Sequence, residues 1–132
     1  MIFCISTKIK FMGMESYIKG SKAEDIATKY VEAAGYKVIF RNWRCPYGEI
    51  DIIGKKDDRL AFFEVKYRST DRYGYSFEYL SPSKISKIRK TIHLFMSKFC
   101  DSNIPWLLDG LCIFPCNESY KISHYKNLLT NL

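Results

Sequence analysis

Residues 48–66 read GEIDIIGKKDDRLAFFEVK. Two apolar runs, IDII and LAFFEV, flank the polar turn KKDD, and this pattern predicts a β-hairpin of strands 48–54 and 59–67. Side chains alternate along a strand. Glu49, Asp51 and Ile53 therefore share one side of the first strand, and Leu60, Phe62, Glu64, Lys66 and Arg68 share one side of the second. Asp51 is then expected to meet Glu64 and Lys66 where the sheet is otherwise apolar.

Working outward, 36–43 reads as a strand leading into the hairpin. Ala23, Ile26, Ala27, Tyr30, Val31 and Ala34 recur at helical spacing over 21–34, and Gly35 supplies a stop. After the hairpin, Ser81-Pro82 opens a second helix, with Ser81 as cap and Pro82 at its first position. Its buried stripe is Ile85, Ile88, Ile92, Phe95, Met96 and Phe99. Residues 106–114 and 119–125 read as two further strands. Three sequential strands favour an antiparallel meander, and the second helix is long enough to return the next strand parallel to a neighbour. Helices on both faces explain strands that are apolar on both sides, such as the one carrying Phe62 and Phe63. The expected class is α/β, a three-layer αβββαβ core around a mixed sheet.

The 132 residues suit one compact domain, expected over 16–132. The opening MIFCISTKIKFMG is briefly apolar but is interrupted by Lys8 and Lys10, so residues 1–15 are expected to form a disordered tail, neither signal peptide nor anchor. Five cysteines without paired short spacings fit reduced thiols and a cytoplasmic protein better than a Cys112–Cys116–His124 metal cluster. No membrane association is expected from the apolar runs. Twenty-one Lys and Arg against fourteen Asp and Glu leave a net charge of +7, which favours a polyanionic partner.

Two acids beside one obvious base need compensation. The plain solution is a salt bridge, with Lys66 neutralising Glu64 and Asp51 satisfied by Arg68 or solvent. Against it, an unpaired ion in a dry interior is costly. A divalent cation removes the imbalance, because Mg²⁺ is commonly held by one or two carboxylates with water and phosphate. Lys66 is then free to orient an attacking water.

Asp51 followed by Glu64-Val65-Lys66 resembles the D…(D/E)-x-K signature of the restriction-endonuclease-like nuclease superfamily. The chain is more closely similar to the YraN family of predicted endonucleases, which resembles archaeal Holliday-junction resolvases. The matching words are Gly20, Glu24 and Ala27; Gly35-Tyr36; Asn42 and Arg44; GEID (48–51); EVK-x-R (64–68); and Lys84 at the second helix. They span about 16–114. One departure is Leu107-Leu108-Asp109, where the family carries Arg-Phe-Asp: the aspartate is kept and the arginine is not.

The resemblance implies a Mg²⁺-dependent nuclease, with Mn²⁺ as substitute, hydrolysing phosphodiesters in DNA at branched or single-stranded features. Its alternative is a catalytically inactive nucleic-acid-binding module on the same fold. Asp51 and Glu64 are the implied metal ligands, joined by the Val65 carbonyl, with Lys66 serving the attacking water. Glu24 is implied as a further acid at the metal, although Ser21-Lys-Ala-Glu24 also reads as a capping box. Arg44, Arg68, Lys84, Lys87, Arg89 and Lys90 are candidates for phosphate contact; the same helix charges could simply be solvated. Tyr67, Tyr73, Tyr75, Phe77 and Tyr79 could stack on bases or seal the core. Resolvase-like enzymes work as two-fold dimers, so a homodimer is a further expectation.

Overall fold

A computed structural model describes residues 3–9, 20–69, 80–100 and 103–130. The chain runs β1 (Phe3–Ile9), α1 (Gly20–Ala33), β2 (Lys37–Cys45), β3 (Gly48–Lys56), β4 (Arg59–Tyr67), α2 (Pro82–Phe99), β5 (Trp106–Cys116) and β6 (Ser119–Thr130). One six-stranded sheet has the order β1-β6-β5-β4-β3-β2. Strands β2, β3 and β4 form the expected antiparallel meander, and α2 carries the chain across to β5, which pairs parallel to β4. The αβββαβ core and the mixed sheet are thus present.

The two helices cover opposite faces because alternate residues of β4 face opposite ways. Ala61 and Phe63 pack with Ala23, Ile26, Ala27 and Val31 of α1. Leu60 and Phe62 pack with Ile88, Ile92, Phe95 and Met96 of α2. Burial on both faces is what an apolar run such as LAFF requires. The ring of Phe95 meets Phe62 edge-on at 5.6 Å and Trp43 at 5.3 Å, which anchors α2 to the sheet.

Both helix boundaries follow local chemistry. Ser81 Oγ accepts the Lys84 backbone N–H at 3.2 Å, and Pro82 follows it, as their sequence positions predict. Helix α1 gives way to Gly35, whose φ of 99° lies in the left-handed region and whose N–H donates to Glu32 O. At the other end α1 starts at Gly20, so Ser21 lies inside the first turn rather than at the expected cap.

Three expectations need correction. The tail expected over 1–15 does not hold for Phe3–Ile9, which form β1 and pair antiparallel with β6; the free edge of β6 offers backbone partners that no hydropathy pattern reveals. Strand β6 also continues beyond 125, through a register shift opposite Leu108/Gly110 in which Asn127 takes a φ of 59°. Finally, strict alternation fails in β3. Ile50 and Ile53 both pack beneath α2, although they are three residues apart. The irregularity lies at Asp51, across from Asn42, which has a φ of 52° between the pairs Arg41↔Ile52 and Trp43↔Ile50.

Candidate functional site

The ladder between β3 and β4 ends at Ile52↔Phe63. Asp51 and Glu64 are the next residues along that register. Asp51 does not continue the ladder with its backbone. Its side-chain Oδ2 accepts the Val65 N–H at 2.7 Å instead, which pins the carboxylate to β4 beside Glu64. Val65 thus enters the site through its amide.

Electrostatics at this point are strongly perturbed. Burial raises the Asp51 carboxyl from 3.8 to about 7; the Val65 N–H opposes this, while the charges of Glu64, Glu24 and Glu49 add to it. Burial also pushes Glu64 up, against the pull of Lys84 and Lys66. Lys66 is pushed down, by burial first and then by the neighbouring Lys84 and Arg68, with Glu64 acting the other way. Glu64 thus acts on Asp51 and is itself coupled to Lys66. The interaction of Lys66 with Lys84 brings the first turn of α2 over the same place.

Glu24 is half-buried on α1 and contributes to the field at Asp51. Among the described residues no three His, Cys, Asp or Glu side chains stand close enough to form a metal cluster. Glu64, Glu24 and Glu49 all act on Asp51 through charge. The donor set suits a hard cation: oxygen ligands in a site where burial and mutual repulsion hold the acids above their usual range. A divalent ion would relieve both effects.

The basic residues divide into two groups. Lys84 acts on both Glu64 and Lys66, and Arg68 acts on Lys66. Arg44 pairs with Glu49, with Nε to Oε2 at 2.9 Å, so it steadies an acid on the strand next to the site. Lys87, Arg89 and Lys90 are exposed along α2, and Lys90 lies 5.7 Å over the Tyr47 ring. Of the aromatic run, Tyr67 packs against the α1 core, whereas Tyr73, Tyr75, Phe77 and Tyr79 lie outside the described residues.

A second polar group went unread in the sequence. His124 and Asp109 are buried, with 5% and 3% of their surfaces exposed. His124 Nε2 and Asp109 Oδ2 are 2.6 Å apart, Asn127 N–H donates to Asp109 Oδ1 at 2.9 Å, and the Tyr30 hydroxyl is hydrogen-bonded to His124 Nδ1 at 2.8 Å. Tyr30 and His124 lie 94 residues apart, so no local motif could join them. The retained Asp109 was the single signal pointing there.

The family model described as "Uncharacterised protein family UPF0102" matches residues 23–113. A UPF0102 protein of Campylobacter fetus subsp. fetus is 39% identical over 118 residues, covering 89% of this chain and 98% of its own. One from Neisseria gonorrhoeae is 36% identical over 95 residues, covering 72% and 83%. One from Sulfurihydrogenibium is 44% identical over 85 residues, covering 64% and 74%. The matched segment holds Glu24, Asp51, Glu64, Lys66 and Lys84.

Proposed function

Because the chain belongs to the uncharacterised protein family UPF0102, whose description names no activity, we propose from the site itself that it is a divalent-metal-dependent nuclease. Its substrate in this reading is a DNA phosphodiester at a branched or single-stranded feature. The observation that carries the reading is Asp51, held by the Val65 N–H beside Glu64, with Lys66 and Lys84 in the same field. An ion pair alone accounts poorly for this arrangement, since burial keeps Asp51 above its usual range and keeps Glu64 there despite Lys84 and Lys66.

Mg²⁺ or Mn²⁺ held by Asp51 and Glu64, with the Val65 carbonyl as a further oxygen donor, would supply positive charge against the phosphoryl oxygens. The protein's own groups do the rest. Lys66 Nζ, made easier to deprotonate by burial and by Lys84, orients the attacking water and in its neutral form accepts a proton from it. The water oxygen forms a bond to phosphorus, the opposite P–O bond breaks, and the departing alkoxide oxygen takes a proton from solvent water. Lys84 and Arg68 attract the phosphate into place, and Lys87, Arg89 and Lys90 extend a basic face along α2 for the strand.

A nucleic-acid-binding module without turnover is the second reading, favoured by the lack of a third side-chain ligand among the described residues. Purified protein incubated with Mg²⁺ or Mn²⁺ and four-way, flapped, single-stranded and linear DNA separates the two. The nuclease reading expects cleavage of one of these substrates that is lost in Asp51→Asn and Lys66→Met. An intact panel, or equal cutting by the variants, overturns it.

A further inference from the structure

Helix α1 connects two polar regions. Glu24, near its start, acts on Asp51, and Ala34, just past its end, lines a cavity of 330 Å³. Ten residues of helix place that cavity roughly 15 Å from the carboxylates. The same separation runs along β3, from Asp51 to Lys56.

The cavity is lined by the buried Asp109 and His124 with the partly buried Tyr30, and by Lys56, Arg59 and Lys126. Three cations thus surround one carboxylate. Asp109 is already engaged at both oxygens, by His124 and by the Asn127 N–H. Arg59 and Lys126 make no ion pair among the described residues. Lys56 Nζ donates to Ala34 O at 3.0 Å and lies 5.4 Å from the centre of the Tyr36 ring, which fixes its charge at the rim. Three cations at a concave site, against one carboxylate whose oxygens are already engaged, leave an excess of positive charge that calls for an anion.

Size and lining narrow the class. A volume of 330 Å³ is near the lower end of ligand cavities, roughly 300–1,000 Å³. It suits one nucleotide and is too small for a dinucleotide. Tyr36 and Leu107 add an aromatic and an aliphatic wall beside the cations. Burial, aided by Asp109 and opposed by Arg59, raises the Tyr36 phenol, so its hydroxyl stays protonated and can donate.

We propose that this cavity binds the phosphate monoester of a single nucleoside, with the phosphate at Arg59, Lys126 and Lys56 and the nucleoside against Tyr36. The nucleotide comes either free or as the 5′-phosphorylated end of a strand. Its site is separate from Asp51 and Glu64, and its binding does not depend on their chemistry.

Calorimetry in EDTA tests this with 2′-deoxyadenosine 5′-monophosphate, using deoxyadenosine as the uncharged control. The nucleotide should bind saturably, at least tenfold tighter than the nucleoside. The double variant Arg59→Gln/Lys126→Gln changes two exposed side chains, and it should weaken the nucleotide at least tenfold with an unchanged melting temperature. The Asp51→Asn protein should bind as wild type, so failure here and failure of the nuclease reading are distinguishable. Oligonucleotides of equal length with a 5′-phosphate or a 5′-hydroxyl identify the source. A 5′-phosphorylated strand that binds more tightly than both the free nucleotide and the 5′-hydroxyl strand marks a strand end; otherwise the ligand is the free nucleotide. Absence of saturable nucleotide binding, equal binding of nucleoside and nucleotide, or full binding by the double variant would overturn the proposal.

Discussion

Asp51 Oδ2 accepts the backbone N–H of Val65 at 2.7 Å, one step beyond the last pair of the β3–β4 ladder. A side chain here replaces the carbonyl that a regular strand would offer. The amide is satisfied, and the carboxylate is locked beside Glu64 at a cost first in desolvation and then in electrostatic repulsion. Placing like charges together in this way costs stability, and the cost is measurable.

Asp51→Asn retains an oxygen for the Val65 N–H and removes the charge. The Asp51 carboxyl titrates near 3.8 when unfolded and at about 7 when folded. Between those values the folded chain binds the extra proton, so metal-free stability falls as pH rises from about 4 to about 7. The displacement sets an upper bound of about 4 kcal/mol on that loss. Urea unfolding in EDTA should therefore find Asp51→Asn more stable than wild type at pH 8 and level with it at pH 4. A constant difference across that range would refute the assignment.

Mg²⁺ should compete with the same proton. Melting temperature at pH 8 should rise with Mg²⁺ in the wild type and stay flat in Glu64→Gln and Asp51→Asn. Below about pH 7 the apparent affinity should fall by about tenfold per pH unit as Asp51 protonates. Calorimetric titration at pH 5.5, 6.5 and 8 checks both statements, and pH-independent binding would contradict them.

Lys66 and Lys84 should separate by their effects on rate. Lys66→Met is expected to lower turnover by roughly 10²–10⁴-fold, the range of a lost acid–base group. Lys84→Met removes a charge that pushes Lys66 down, so the Lys66-dependent limb of the pH–rate profile should move to higher pH. Steady-state cleavage across pH 6–10 reads this directly. An unmoved profile would mean that Lys84 serves phosphate binding alone.

Asp109→Ala strands a buried imidazole and the Asn127 amide, both of which donate to that carboxylate. Loss of one partner in a buried pair costs about 3–5 kcal/mol. Chemical denaturation should show a loss of that order. A cost below about 1 kcal/mol would place the pair among weak surface contacts.

Much of this protein was legible without coordinates because its strongest signals are local. The period of Ala23, Ile26, Ala27 and Val31 defines the inner face of α1, the double apolar character of LAFF requires a sheet covered on both sides, and Ser81-Pro82 starts α2 where they stand. The short turn likewise sets the hairpin register that puts Asp51 and Glu64 one step beyond the Ile52↔Phe63 pair, since hairpin register follows from turn length. Tertiary structure alone decided the rest. Strand β1 exists because the edge of β6 receives it, and Asp51 leaves strict alternation where Asn42 turns the neighbouring strand. His124 reaches Tyr30 and Asp109 only after α1, β5 and β6 have packed. Periodicity records how a residue relates to its near neighbours; partners distant in the chain are selected by the packing of the whole sheet, where a buried charge must find its counterpart.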